Sequence, residues 1–131
     1  MINRRKFLLN SSSAFALTQL PSNAYAKNGI KHYRLVAEAA EHTFYPSAQK
    51  SKLSLYNQQS PGPTIHAVKD DILEVEFLNL LDEPTTIHWH GIRNLNDMDG
   101  VPGLTQPGVE PGETFTYRFP LKDTGLFWYH A

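Results

Sequence analysis

Ile72-Leu73-Glu74-Val75-Glu76-Phe77-Leu78-Asn79 alternates with a period of two: Leu73, Val75, Phe77 and Asn79 fall on one side of an extended chain, and Ile72, Glu74, Glu76 and Leu78 on the other. One side is mostly apolar and the other carries the acids, which describes a half-buried strand of an antiparallel sheet. Lys69-Asp70-Asp71 and Asp82-Glu83-Pro84 bound it with turn chemistry. From Lys31 onward the same grammar repeats, and helical spacing is absent. Strands are expected at 31–39, 53–57, 63–68, 72–79, 85–91, 113–120 and 126–130. Between them lie Ser60-Pro61-Gly62-Pro63, Asn96 to Gly103, Pro107-Gly108, Glu110-Pro111-Gly112 and Lys122-Asp123-Thr124-Gly125. Seven short strands separated by tight turns predict an all-β fold, a β-sandwich or Greek-key barrel.

The chain has 131 residues, enough for one small domain, and no cysteine, so a disulfide framework, a thiol nucleophile and a thiolate metal site are all excluded within it. Residues 1–26 read as an export signal. Arg4-Arg5-Lys6 precedes Phe7-Leu8-Leu9, a weakly apolar stretch, Pro21 and Ala24-Tyr25-Ala26, which places a mature N-terminus at Lys27. The paired arginines resemble a twin-arginine signal, with Asn3 where Ser or Thr is usual; an ordinary secretory signal is the alternative. Either route puts the protein in the periplasm or otherwise outside the cytoplasm. The signal takes three of the twelve cationic residues and none of the thirteen acids, leaving residues 27–131 with a net charge of −4, which gives no encouragement to a nucleic-acid partner. The longest semi-apolar run, Phe7 to Leu20, is broken by Asn10, Ser11, Ser12, Ser13, Thr18 and Gln19 and cannot span a bilayer.

His88-Trp89-His90 carries the chemistry. On a strand His88 and His90 share a face and Trp89 points the other way. Two adjacent imidazoles repel when protonated and are costly to bury unpartnered, and a shared metal resolves both problems. Imidazole without thiolate or clustered carboxylate suits copper or zinc better than magnesium or calcium. His130, after Trp128-Tyr129, lies in a comparable setting, whereas His32, His42 and His66 have no paired neighbour and are not expected to be ligands. Trp89, Trp128, Tyr129, Phe115, Tyr117 and Phe119 are read as core or domain-interface packing, and lone Met98 as packing.

Thr85-Thr86-Ile87-His88-Trp89-His90-Gly91, Asp97-Met98-Asp99-Gly100-Val101-Pro102-Gly103, Gln106-Pro107-Gly108-Val109-Glu110-Pro111-Gly112 and Thr124-Gly125-Leu126-Phe127-Trp128-Tyr129-His130 follow one another in order. Together with Ser60-Pro61-Gly62-Pro63-Thr64-Ile65, this series resembles the first plastocyanin-like domain of the multicopper oxidases, the family of laccases and bacterial copper-resistance and cuprous oxidases. The resemblance implies a cupredoxin-like fold over 27–131, incomplete at its C-terminus and lacking its last strands. It also implies that His88 binds a type 2 copper, and that His90 and His130 bind one type 3 copper. The second histidine of the second His-x-His would be residue 132, beyond this chain. Asp99 falls where the family places an acid near the oxygen-reducing cluster, a proton relay that acts without touching the metal; before Gly100 it reads equally as a turn aspartate.

The family's type 1 copper requires a cysteine, so no type 1 site belongs to this chain. The leading expectation is therefore a copper-binding N-terminal part of an exported, laccase-like oxidoreductase that couples one-electron oxidation of a reducing substrate to reduction of oxygen to water. Its partners would be copper ions, oxygen, the reducing substrate and the remaining cupredoxin domains; this chain alone is expected to be inactive. The rival readings are a non-catalytic periplasmic copper-binding module or truncated gene product, and a copper-free structural relative, against which the three histidines argue.

Overall fold

The computed structural model describes residues 29–46 and 49–131; the export signal of 1–26 and the Lys27 terminus lie outside the described residues. Among the described residues there are six strands, β1 (Ile30–His42), β2 (Ser51–Tyr56), β3 (Ile72–Asn79), β4 (His88–His90), β5 (Thr114–Pro120) and β6 (Trp128–His130), and a 3₁₀ turn at Asn96–Met98. They form two layers, a four-stranded sheet in the order β2-β1-β3-β5 and a two-stranded sheet of β4 and β6. This is the cupredoxin-like sandwich that the sequence predicts, and it is not closed into a barrel.

The period-two reading of 72–79 holds residue by residue. Leu73, Val75, Phe77 and Asn79 are buried while Glu74 and Glu76 face outward. Leu35 and Ala37 of β1, Tyr117 and Phe119 of β5, and Ile87, Trp89 and Val109 from the opposite layer complete the core. Buried Asn79 costs nothing unpaid, because its amide donates to the carbonyls of Glu83 and Val109 (both 2.8 Å) and its Oδ1 accepts from the Leu81 amide (2.9 Å).

Three expectations are corrected. The sheet is mixed, not antiparallel: β3 pairs antiparallel with β5 but parallel with β1, Ile30 opposite Ile72 through Ala37 opposite Asn79. Periodicity reports which face is buried and is blind to strand direction. Second, 63–68 joins no ladder. Pro63 has no amide hydrogen, and side chains satisfy this segment instead. The Tyr129 hydroxyl donates to Pro63 O, the Tyr33 hydroxyl accepts from His66 N and donates to His66 O (2.9 Å in each case), and the Val68 amide donates to the Asp71 carboxylate (3.0 Å). Third, the expected strands at 85–91 and 126–130 narrow to three-residue ladders, with Thr85 bridging separately to Val109.

Among the described residues no helix is long and apolar enough to cross a membrane.

Candidate metal centre

In β4 the alternation sends Trp89 inward, 2% exposed, where its ring meets Tyr117 and Phe119 edge-on at 5.5 and 5.3 Å. His88 and His90 are thereby turned outward. Antiparallel pairing with β6 sets His88 opposite His130, Trp89 opposite Tyr129 and His90 opposite Trp128, and directly opposed residues share a face. Three imidazoles from two segments, His90 and His130 being 40 residues apart in sequence, thus meet on one surface. Their ring centroids are 5.8 Å (His88 to His90), 5.3 Å (His88 to His130) and 5.6 Å (His90 to His130) apart, and one nitrogen from each lies within 4.8 Å of the others. Among the described residues this is the sole grouping of three or more potential metal ligands.

Hydrogen bonds decide which nitrogens are available. A carbonyl can only accept, so His88 Nδ1–H donates to Asp99 O (2.7 Å) and His130 Nδ1–H to Ala131 O (2.8 Å), which makes Nε2 the nitrogen of each ring that could face a metal. His90 Nδ1 lies 3.4 Å from His130 Nε2. Two imidazole nitrogens bound at about 2.0–2.1 Å to one ion stand this far apart at an angle of about 110°. Three imidazoles, two of them with the tautomer fixed by a backbone oxygen, and no carboxylate among them fit a late first-row ion such as copper or zinc.

The support behind His88 is main-chain in origin. Gly100 adopts φ +76° and lies against β4 so closely that a Cβ there would stand 1.8 Å from Ile87 O. Buried Thr86 Oγ1 donates to Gly100 O (2.6 Å), and the Ile87 amide donates to the buried Tyr117 hydroxyl (2.8 Å). Burial raises the Tyr117 phenol above its ordinary value, and it pushes Tyr129, whose hydroxyl is bonded to Pro63, up to about 12. These contacts hold the Asp99 carbonyl at His88. The Asp99 carboxylate is farther off, with Oδ1 3.7 Å from His88 Nδ1.

The other readings sort as follows. His32 pairs with Glu74 (2.9 Å), His42 packs on Phe44, and His66 bonds Tyr33 through its backbone; none joins the cluster. Met98 Sδ accepts from the Arg118 amide, at the edge of β5. Trp89, Tyr117 and Phe119 are core and Phe115 and Tyr129 pack against it, but Trp128 is 62% exposed and sits edge-on to His90 at 4.8 Å. Of the two readings, core and domain-interface packing, Trp128 does not take the first, because pairing with His90 puts it on the outward face. Gly100 provides the turn and close backbone approach that a glycine at this place in the sequence suggests, and so seats the loop on β4; sequence reasoning missed the Arg93–Asp123 pair, whose members are 30 residues apart. Gly100 has a sequence signal, an Asp-Gly turn closely following the His-x-His; the ion pair has none.

A family model described as multicopper oxidase matches residues 38–131. The chain is 44% identical over 109 residues to laccase-1 of Emericella nidulans, covering 79% of this chain and 18% of that protein. It is 45% identical over 71 residues to copper resistance protein A of Escherichia coli, covering 54% of this chain and 12% of that one. Among solved structures, a multi-copper oxidase from Pseudomonas thermotolerans superposes with a TM-score of 0.73 at 44% identity, covering 77% of this chain and 24% of the other. The chain thus spans less than a fifth of these curated relatives.

Proposed function

Because the chain belongs to the multicopper oxidase family, matched over residues 38–131, we propose that it binds copper through His88, His90 and His130 and forms part of an oxygen-reducing copper cluster in an exported oxidase. His88 would hold the type 2 ion, and His90 and His130 would share one type 3 ion. The observation that carries this reading is the convergence of three imidazoles whose donor atoms lie within 4.8 Å, two with the proton fixed on Nδ1 by a carbonyl. Copper, when bound, supplies the redox centre at which electrons from a reducing substrate reach oxygen.

The protein's own groups prepare that centre. Trp89, locked in the core, aims its two neighbours outward. The Asp99 and Ala131 backbone oxygens hold the imidazole protons on Nδ1 and so orient the two rings with Nε2 as the donor atom. The half-buried Asp99 carboxylate, near His88 but not bonded to it, is suited to pass protons toward the cluster. A type 1 centre needs thiolate, which this cysteine-free chain does not provide, so substrate oxidation is assigned to the rest of the oxidase.

Calorimetric titration with cupric ion tests the ligand set. His88→Ala with His90→Ala should abolish most of the affinity, while His32→Ala and His66→Ala leave it unchanged. The bound ion should give a cupric–imidazole spectrum without the intense blue thiolate band. If the double variant binds copper as tightly as the parent, the ligand set is wrong.

A further inference from the structure

A two-stranded ladder of three residue pairs is marginal by itself, so something must hold β4 and β6 in register at the outer end of the histidine cluster. Its middle pair, Trp89 opposite Tyr129, is anchored to the core and, through the Tyr129–Pro63 hydrogen bond, to the 63–68 segment, and one end of the ladder is His88 opposite His130. At the other end the last pair is His90 opposite Trp128, and beyond it the two segments diverge into loops. Arg93, three residues past His90, meets Asp123, five residues before Trp128, in a two-pronged contact: Nε donates to Oδ2 (2.7 Å) and Nη2 to Oδ1 (2.6 Å).

Both loops are themselves tied down. The Ile92 amide donates back to Trp89 O (3.2 Å), so Arg93 leaves β4 on a tight turn. On the other side the Leu121 amide donates to Asp71 O (2.9 Å) and the Asp70 amide to Leu121 O (2.7 Å), which pins the approach to Asp123 to the start of β3. Between the clamp and the ladder the Phe127 ring lies over Gly91 and Gly125, close enough that a Cβ at either would touch it at 3.4 or 3.2 Å. Asp123 is kept ionised by the Arg93 guanidinium, with Lys69 and Lys122 adding to the positive field, all of which hold its carboxyl below the ordinary range.

We propose that Arg93 and Asp123 form a positioning clamp that ties the His88–His90 strand to the His130 strand and to the four-stranded sheet, and so sets the spacing of His90 and His130 for one copper ion. This rests on the copper reading above. A planar guanidinium on a carboxylate fixes distance and orientation together, which a lysine cannot do. Exposed ion pairs add little to global stability, so the effect of this one falls on local geometry. The clamp residues do not touch the metal. They act through Gly91, Phe127 and the last ladder pair.

The test compares the full chain with Arg93→Lys, Asp123→Asn and the reversed pair Arg93→Asp with Asp123→Arg, by copper titration against a competing chelator, electron paramagnetic resonance and urea unfolding. Partners that bond a ligating histidine directly typically change metal affinity 10–100-fold, and this more distant clamp should change it roughly threefold to tenfold. Both single variants should lose that much affinity and show a broadened copper–nitrogen pattern, with urea midpoints close to the parent and at least partial recovery in the reversed pair. Parent-like affinity and spectrum in both single variants would overturn the clamp, as would a loss of affinity that only tracks a lower urea midpoint. His88→Ala with His90→Ala, measured alongside, separates this from failure of the copper reading: if that variant also binds normally, both are wrong.

Discussion

Replacing Gly100 by alanine tests the claim that a main-chain loop, not a side chain, seats the first histidine. Gly100 sits at φ +76°, where an L-residue pays about 1–2 kcal/mol. The added Cβ would lie 1.8 Å from Ile87 O, 2.5 Å from Ile87 C and 3.0 Å from His88 N, all backbone atoms that no rotamer change can move. Restoring an ordinary contact requires the loop to retreat by more than about 1 Å, given the 1.8 Å approach. That breaks the buried Thr86 Oγ1–Gly100 O hydrogen bond of 2.6 Å, at about 1–3 kcal/mol for the groups left unsatisfied. The expected total is roughly 2–5 kcal/mol, a large part of the ~5–15 kcal/mol available to a domain. Gly103→Ala is the control: φ is +74° and nothing lies within 4 Å of its Cβ, so only the conformational cost applies. Urea unfolding monitored by tryptophan fluorescence should rank parent, Gly103→Ala and Gly100→Ala in descending stability. Copper affinity should fall only in Gly100→Ala, by about tenfold or more, as the Asp99 carbonyl leaves His88. Equal urea midpoints for the two alanine variants, or unchanged copper affinity in Gly100→Ala, would refute the reasoning.

Tyr117→Phe strands the buried Ile87 amide and should lower stability by about 1–3 kcal/mol, measured by chemical denaturation, with Phe115→Leu a milder comparison at the core's margin. Acid should weaken the fold through Asp71 and Glu74. Backbone amides of Gly29 and Val68 lower the Asp71 carboxyl from 3.8, and Arg118 lowers that of Glu74 from 4.5. In the unfolded chain both groups bind protons first, so their contribution is complete above about pH 4.5 and is lost as pH falls through their depressed native values. Urea midpoints across this range should flatten in Asp71→Asn and Glu74→Gln; parent-like pH dependence in both would count against the assignment. Copper binding should weaken on acidification because protons compete for the imidazole nitrogens, a trend isothermal titration reads directly. For export, N-terminal sequencing of periplasmic material should begin at Lys27, and Arg4→Lys with Arg5→Lys should block twin-arginine transport; retention of Met1 would remove the signal.

How much of the site was legible follows from the range of each interaction. Period-two alternation made Leu73, Val75 and Phe77 core and Glu74 surface before any coordinates, because side-chain direction along a strand is local geometry. The same rule placed His88 and His90 together facing away from Trp89, and the ordered motifs carried the family. Side chains that lie between strands had no such signal. Nothing in Ile30–His42 announces that it runs parallel to β3, and Pro63 to Val68 reads as strand by composition although hydroxyls and a carboxylate take its backbone groups. The tertiary structure alone decided that His130 stands opposite His88 and Trp128 beside His90 on the outer face. It also decided that Asp99 bonds His88 through its carbonyl, and that Arg93 reaches Asp123. Each of these depends on strand register and loop closure across 11 to 42 residues, and those are set by the packing of the whole core around Trp89, Phe77 and Tyr117, a cooperative property that no local pattern encodes.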